Sequence, residues 1–102
     1  MSGQVIAGQT WNDTLSAADV QALRQNFTAT IGPVLSQLAG GPASGAYSNE
    51  ADALEPNFQV TFYGQNYPLL ESIKAAYDPN DLFIVQTGVR SEFWDAEGLC
   101  QV

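Results

Sequence analysis

The stretch Gly45-Ala46-Tyr47-Ser48-Asn49-Glu50-Ala51-Asp52 decides how the rest of the chain is read. Tyr47 is flanked by small residues in a short run that breaks at Glu55-Pro56, so Gly45 to Asn49 reads as a strand. A lone strand leaves its backbone N–H and C=O groups unpaired, and the remaining sequence offers few partners. The strand therefore points to a sheet completed by other polypeptide. Tyr47 and Asn49 lie two apart, which on a strand places both on one face. A phenol and an amide there can hydrogen-bond a planar polar ligand. The same pair also suits a packed tyrosine with a satisfied hydroxyl and an asparagine that stabilises a turn.

Working downstream, Pro56 opens a short helix through Phe58 and Phe62 that ends at Gly64. Asn66 can cap the next helix, with Pro68 tolerated in its first turn. Leu70, Ile73 and Tyr77 recur at helical spacing and are expected to be its buried stripe. Tyr77-Asp78-Pro79 stops that helix, because Pro79 pushes Asp78 out of helical geometry. Leu82-Phe83-Ile84-Val85 is a short apolar segment, followed by a polar tail with Phe93 and Trp94. The acidic residues are spread out and read as a solvated surface, and Lys74 and Arg90 as surface or salt-bridge residues.

Upstream, Met1 to Thr10 has no period and reads as an irregular start or as the end of a strand paired elsewhere. Ser16-Ala17-Ala18-Asp19 has the form of a capping box. Val20, Leu23, Phe27 and Ile31 follow at three- and four-residue spacing and predict a helix over about Ala17 to Thr30. Gly32-Pro33 is expected to interrupt it. Val34, Leu35 and Leu38 predict a second short helical piece, closed by Ala39-Gly40-Gly41-Pro42.

Composition removes whole classes of function. The chain has 102 residues, 11 acidic and 3 basic, for a net charge of -8. So acidic a surface repels phosphate, which argues against nucleic acid and anionic membranes as partners. There is no histidine and one cysteine, Cys100. A self-contained Ser/His/Asp or Cys/His centre is thereby excluded, as are an internal disulfide and a cysteine-rich metal site. No apolar run approaches a membrane span, and Met1 to Gly8, without a basic residue, is unlike a secretory leader. Asn12-Asp13-Thr14 and Asn26-Phe27-Thr28 fit the N-glycosylation pattern.

Three motifs in order carry a family resemblance: Gly45-Ala46-Tyr47-x-Asn49-Glu50-Ala51-Asp52, then Phe62-Tyr63-Gly64-x-Asn66-Tyr67, then Ile73-Lys74-x-x-Tyr77-Asp78-Pro79-x-x-Leu82-Phe83. From about Trp11 to Val102 the chain resembles the C-terminal segment of berberine-bridge-enzyme-like FAD-linked oxidases, most closely their fungal branch. The resemblance implies an α+β fold: a mostly helical segment with one or two strands that complete a sheet of the larger oxidase. Residues 1–44 would form helical support and residues 45–102 the family segment. It also implies secretion, a small-molecule substrate, and hydride transfer to FAD with oxygen as the usual acceptor. Tyr47, Asn49, Asn66 and Tyr67 would then line the pocket beside the flavin.

Tyr47 and Glu50 are the catalytic candidates the resemblance offers. Carbohydrate-oxidising relatives carry a tyrosine where Glu50 stands. A carboxylate there acts as a base if it is buried beside the flavin, where desolvation raises its pKa, and is inert if it faces away. Asn66 and Tyr67 equally suit a helix cap and a first-turn aromatic. The family commonly has an arginine where this chain has Leu69, so any ion pair made there is lost. Relatives attach their flavin through a histidine in a separate N-terminal domain. This chain has neither that histidine nor a phosphate-binding glycine loop, so it is expected to need a flavin-binding domain or chain as partner. The alternative is a non-catalytic helical interaction module derived from the family.

Overall fold

The computed structural model describes residues 3–102. Met1 and Ser2, part of the expected irregular start, lie outside them, and residues 3–12 carry no regular structure. Three α-helices follow: α1 (Ala17–Ala39), α2 (Phe58–Tyr63) and α3 (Tyr67–Tyr77), with 3-10 turns at Pro42–Ser44, Gly64–Asn66 and Ser91–Phe93. No helix among the described residues is long and apolar enough to cross a membrane.

The start of α1 is set by the expected capping box. Ser16 Oγ accepts the Asp19 N–H at 3.2 Å, and the Asp19 carboxylate takes the Ser16 N–H in return. Its end is a Schellman closure: Gly40 sits at φ 94°, a left-handed conformation that favours glycine, while its N–H reaches the Gln37 carbonyl and that of Gly41 the Ser36 carbonyl. The expected break at Gly32-Pro33 does not occur, and α1 runs through Pro33. Proline's fixed φ is compatible with a helix, so one backbone bond is lost without a stop. The stripe Val20, Leu23, Phe27 and Ile31 continues to Leu35 across that point, and all five are half-buried.

The expected strand over Gly45 to Asn49 is absent, and the α+β reading gives way to a mostly helical chain without strands among the described residues. Ala46 donates its N–H to the Thr61 carbonyl of α2 at 2.9 Å. The next residues close a turn, with Glu50 N–H on the Tyr47 carbonyl at 2.9 Å. One β-bridge, between Trp94 and Gln101, is present. A strand needs a partner edge, and the described residues present none to residues 45–49.

Among the described residues only Phe58 and Tyr67 are buried large apolar side chains. Their rings meet edge-on at 6.1 Å, and Tyr63 stands 5.7 Å from Tyr67 on the other side. The expected buried stripe of α3 is also corrected. Leu70 is half-buried, but Ile73 is exposed and Tyr77 is 88% exposed. The side of α3 turned inward carries Tyr67, Leu70, Glu71, Lys74 and Ala75 instead. The radius of gyration, 15.3 Å, exceeds the roughly 13 Å of a compact domain of this length, matching so small a core.

Polar contacts hold what apolar packing does not. The helix stop at Asp78 forms as expected, and its carboxylate pairs with Lys74 and accepts the Leu82 and Phe83 N–H groups at 2.9 and 3.0 Å. Asp81, 3% exposed, overturns the expectation that the acids are all solvated. It receives Arg90 Nε at 3.0 Å, Arg90 Nη2 at 3.3 Å and Trp94 Nε1 at 3.1 Å. Arg90 and Lys74 thus serve as the salt-bridge residues expected of them. The Lys74 ammonium and two backbone N–H groups pull the Asp78 carboxyl down to about 2. Burial opposes ionisation of Asp81, but the Trp94 indole and the Arg90 guanidinium outweigh it and its pKa is lowered. Both carboxyls are harder to protonate folded than unfolded. Their contribution is therefore present above about pH 4 and is lost as pH falls toward 2. We expect Asp81→Ala to destabilise the chain by about 2–3 kcal/mol, since it strands a guanidinium and an indole N–H, with thermal melts by circular dichroism as the check. The same melts on the parent chain should change little from pH 7 to 5 and drop below about pH 4.

Candidate functional site

The loop at residues 45–50 and the N-terminus of α3 hold every sequence-predicted site residue. Gly45, at φ 84°, turns the chain out of the Pro42–Ser44 turn, and the Ala46 bond to Thr61 ties the loop to α2. Tyr47 is 60% exposed, and Asn49 Nδ2 donates to its hydroxyl oxygen at 2.8 Å. The structure thus brings Tyr47 and Asn49 together, on a turn rather than a strand face. The Tyr47 hydroxyl hydrogen, the Asn49 carbonyl oxygen and one further Asn49 N–H remain for other partners. Glu50 is exposed, and its carboxylate accepts from Gln4 Nε2.

Asn66 and Tyr67 differ from each other. Asn66 occupies the N-cap position of α3, is exposed, and makes no side-chain capping bond. Its backbone φ of −79° and ψ of −15° are already helical, which turns the amide away from the free N–H groups. Tyr67 is 8% exposed. Its hydroxyl donates to Glu92, 2.6 Å from each carboxylate oxygen, and accepts the Arg90 N–H at 3.1 Å. Burial and the adjacent Glu92 carboxylate push its ionisation well above the usual phenol range. Tyr67 is therefore a neutral fixing point for the start of α3. Tyr63 completes the layer by donating to the Thr87 carbonyl at 3.1 Å, and burial raises its pKa as well.

Sequence reasoning missed Asp81 and Glu92. Nothing in the sequence marks them, and the irregular backbone that brings them together shows only in the structure, where Asp81, Thr87 and Arg90 all adopt positive φ without being glycine. An open groove of about 270 Å³ lies beside this region, with Phe58, Trp94, Glu92 and Asp95 among its lining residues. Two of its carboxylates are engaged, Glu92 by Tyr67 and Asp95 by the Leu99 N–H, whose bond lowers the Asp95 pKa.

The site residues from Tyr47 to Tyr67 lie within a recognised sequence family. Residues 46–90 match the family described as berberine and berberine like. An "uncharacterized FAD-linked oxidoreductase" of Arthroderma benhamiae is 40% identical over 95% of this chain and 16% of its own length. FAD-linked oxidoreductase notD of an Aspergillus species is 44% identical over 80% of this chain and 13% of the relative. Flavin-dependent oxygenase ucdF of Aspergillus ustus is 52% identical over 59% of this chain and 11% of the relative. Residues 46–90 place the chain in the berberine-like family, and the relatives it resembles are fungal proteins named as FAD-linked oxidoreductases. It spans about a sixth or less of these relatives' length. No solved structure matches it.

The two site positions at the start of α3 should separate in stability. Tyr67→Phe keeps the ring but leaves Glu92 and the Arg90 N–H without their partner, and should cost about 1.5–3 kcal/mol in urea unfolding. Asn66→Ala removes no capping bond and should change stability by less than about 0.5 kcal/mol.

Proposed function

We propose that the chain works as part of an FAD-dependent oxidoreductase, with a flavin-binding domain or chain as its partner. Its role is to form part of the substrate pocket wall beside the flavin. The observation that carries this reading is the exposed Tyr47–Asn49 pair, joined by a hydrogen bond inside the family-matched stretch, with donor and acceptor capacity left over. A buried, fully engaged pair would have served packing alone. The names of the relatives supply the cofactor class.

The fit to FAD is partial. The chain has no histidine, and no glycine-rich loop opens a helix among the described residues. The dinucleotide body therefore belongs to the partner. What this chain offers suits the polar edge of a planar ring, or a substrate laid against it. When bound, the flavin would supply hydride acceptance. Tyr47 would orient the substrate through its hydroxyl, held by Asn49. Asn66, exposed and without a capping duty, would stand at the positive end of α3. Tyr67, with its hydroxyl occupied, would contribute by fixing that helix end. Glu50 is the carboxylate nearest in sequence to the pair and would be the candidate base of the assembled site. Residues 45–49 would find their missing strand partners on the same polypeptide.

Anaerobic stopped-flow reduction of the assembled flavoprotein tests the reading. Tyr47→Phe should slow flavin reduction by about tenfold with flavin content unchanged, the pattern of a lost orienting contact. Asn80→Ala, on an exposed turn, should reduce at the parent rate. Parent-rate reduction by Tyr47→Phe would remove the loop from the pocket wall. A chain that remains a colourless, stable monomer beside every flavin-bearing body would favour the non-catalytic interaction module.

A further inference from the structure

The two Asn-x-Thr triplets of the sequence lie in opposite surroundings. Asn12, Asp13 and Thr14 stand in the irregular segment before α1, and all three are exposed. Asn12 Oδ1 accepts the Thr14 N–H at 3.1 Å and the Thr14 hydroxyl as well. Both lone pairs of that oxygen are thereby used, and the side chain closes a turn that sets the amide beside the hydroxyl. Asn12 Nδ2 makes no hydrogen bond among the described residues.

Asn26 is exposed too, but it lies inside α1. Residues two apart on a helix are turned about 200° from each other, so the Asn26 amide and the Thr28 hydroxyl do not face one another. The one proton of the Thr28 hydroxyl has other acceptors, the Arg24 carbonyl at 3.0 Å and the Asp52 carboxylate. Phe27, between them, belongs to the half-buried stripe of the helix. To take the shape seen at residues 12–14, α1 would have to open here and release both Phe27 and Thr28.

We propose that Asn12 is an acceptor of N-linked oligosaccharide and that Asn26 is not, although both triplets satisfy the sequence pattern. The step is a substitution at the anomeric carbon of a lipid-diphosphate-linked oligosaccharide. Asn12 Nδ2 forms the new C–N bond as the C–O bond to the diphosphate breaks. The lipid diphosphate leaves with the bonding electron pair, and one Nδ2 proton passes to a base of the transferase. No oxidant or reductant enters. The two donors on Oδ1 draw electron density toward the oxygen and make that proton easier to remove. The triplet also ends before Ser16, so a transferase can engage it without undoing the capping box of α1.

The test is expression of the whole chain behind a secretory leader in a fungal host, with intact mass read before and after endoglycosidase treatment. One oligosaccharide per chain is expected. Asn12→Gln should abolish it, Thr14→Ser, which keeps the hydroxyl, should retain it, and Asn26→Gln should leave it unchanged. If Asn12→Gln disturbs folding, Asp13→Pro serves instead, because it breaks the acceptor pattern while keeping Asn12 and Thr14. Gln25→Pro, at an exposed position, opens α1 beside the second triplet and should add an oligosaccharide at Asn26. A parent chain recovered from the medium with no oligosaccharide overturns the proposal, as does one whose oligosaccharide survives loss of the first triplet. A parent chain carrying two, or a Gln25→Pro chain that still carries one, overturns the protection assigned to α1.

Discussion

The Asp81 carboxylate is the contact on which the C-terminal half depends. It gathers the Arg90 guanidinium through two nitrogens and the Trp94 indole N–H while remaining 3% exposed. A buried carboxylate without such partners would be protonated or expelled. With them it fixes the path from the end of α3 to residue 94. That path in turn sets Glu92 and the Arg90 backbone against the Tyr67 hydroxyl. The start of α3, and Asn66 with it, is therefore located by residues far along the chain. Arg90 holds this position at φ 72°, a conformation that side chains adopt only when the surroundings demand it.

How far the sequence could be read depended on how local the physics was. The Ser16–Asp19 capping box, the Gly40-Gly41 closure, the short Phe58 helix and the stop at Asp78 all follow from neighbours within five residues, and each was legible. Pro33 misled because its effect on a helix depends on whether packing on both sides keeps the register, here from Val20 to Leu35. Asp81 was illegible because its partners lie 9 and 13 residues away across a turn of irregular backbone.

The two remaining misreadings share one cause. Gly45 to Asn49 has strand-like composition, and Ile73 and Tyr77 have buried-stripe spacing, yet neither pattern is satisfied inside this chain. Composition and periodicity report what a segment requires of its surroundings, whoever supplies them. In the candidate site the Tyr47–Asn49 pairing was legible as a two-residue spacing, although a turn and not a strand produces it. The division of labour between exposed Asn66 and buried Tyr67 was not, since it is decided by Glu92, 25 residues beyond Tyr67.

That separation bears on the order of assembly. The Tyr67 hydroxyl meets its two partners 23 and 25 residues downstream. During synthesis α3 emerges and can coil while its first residue, Tyr67, is still an unsatisfied hydroxyl with no cover. The first part of α3 to form is thus the last to be locked, when Arg90 and Glu92 arrive and the segment after α3 closes over Phe58 and Tyr67. A chain halted before residue 90 would hold its helices only loosely, with aromatic side chains open to solvent and to other nascent chains.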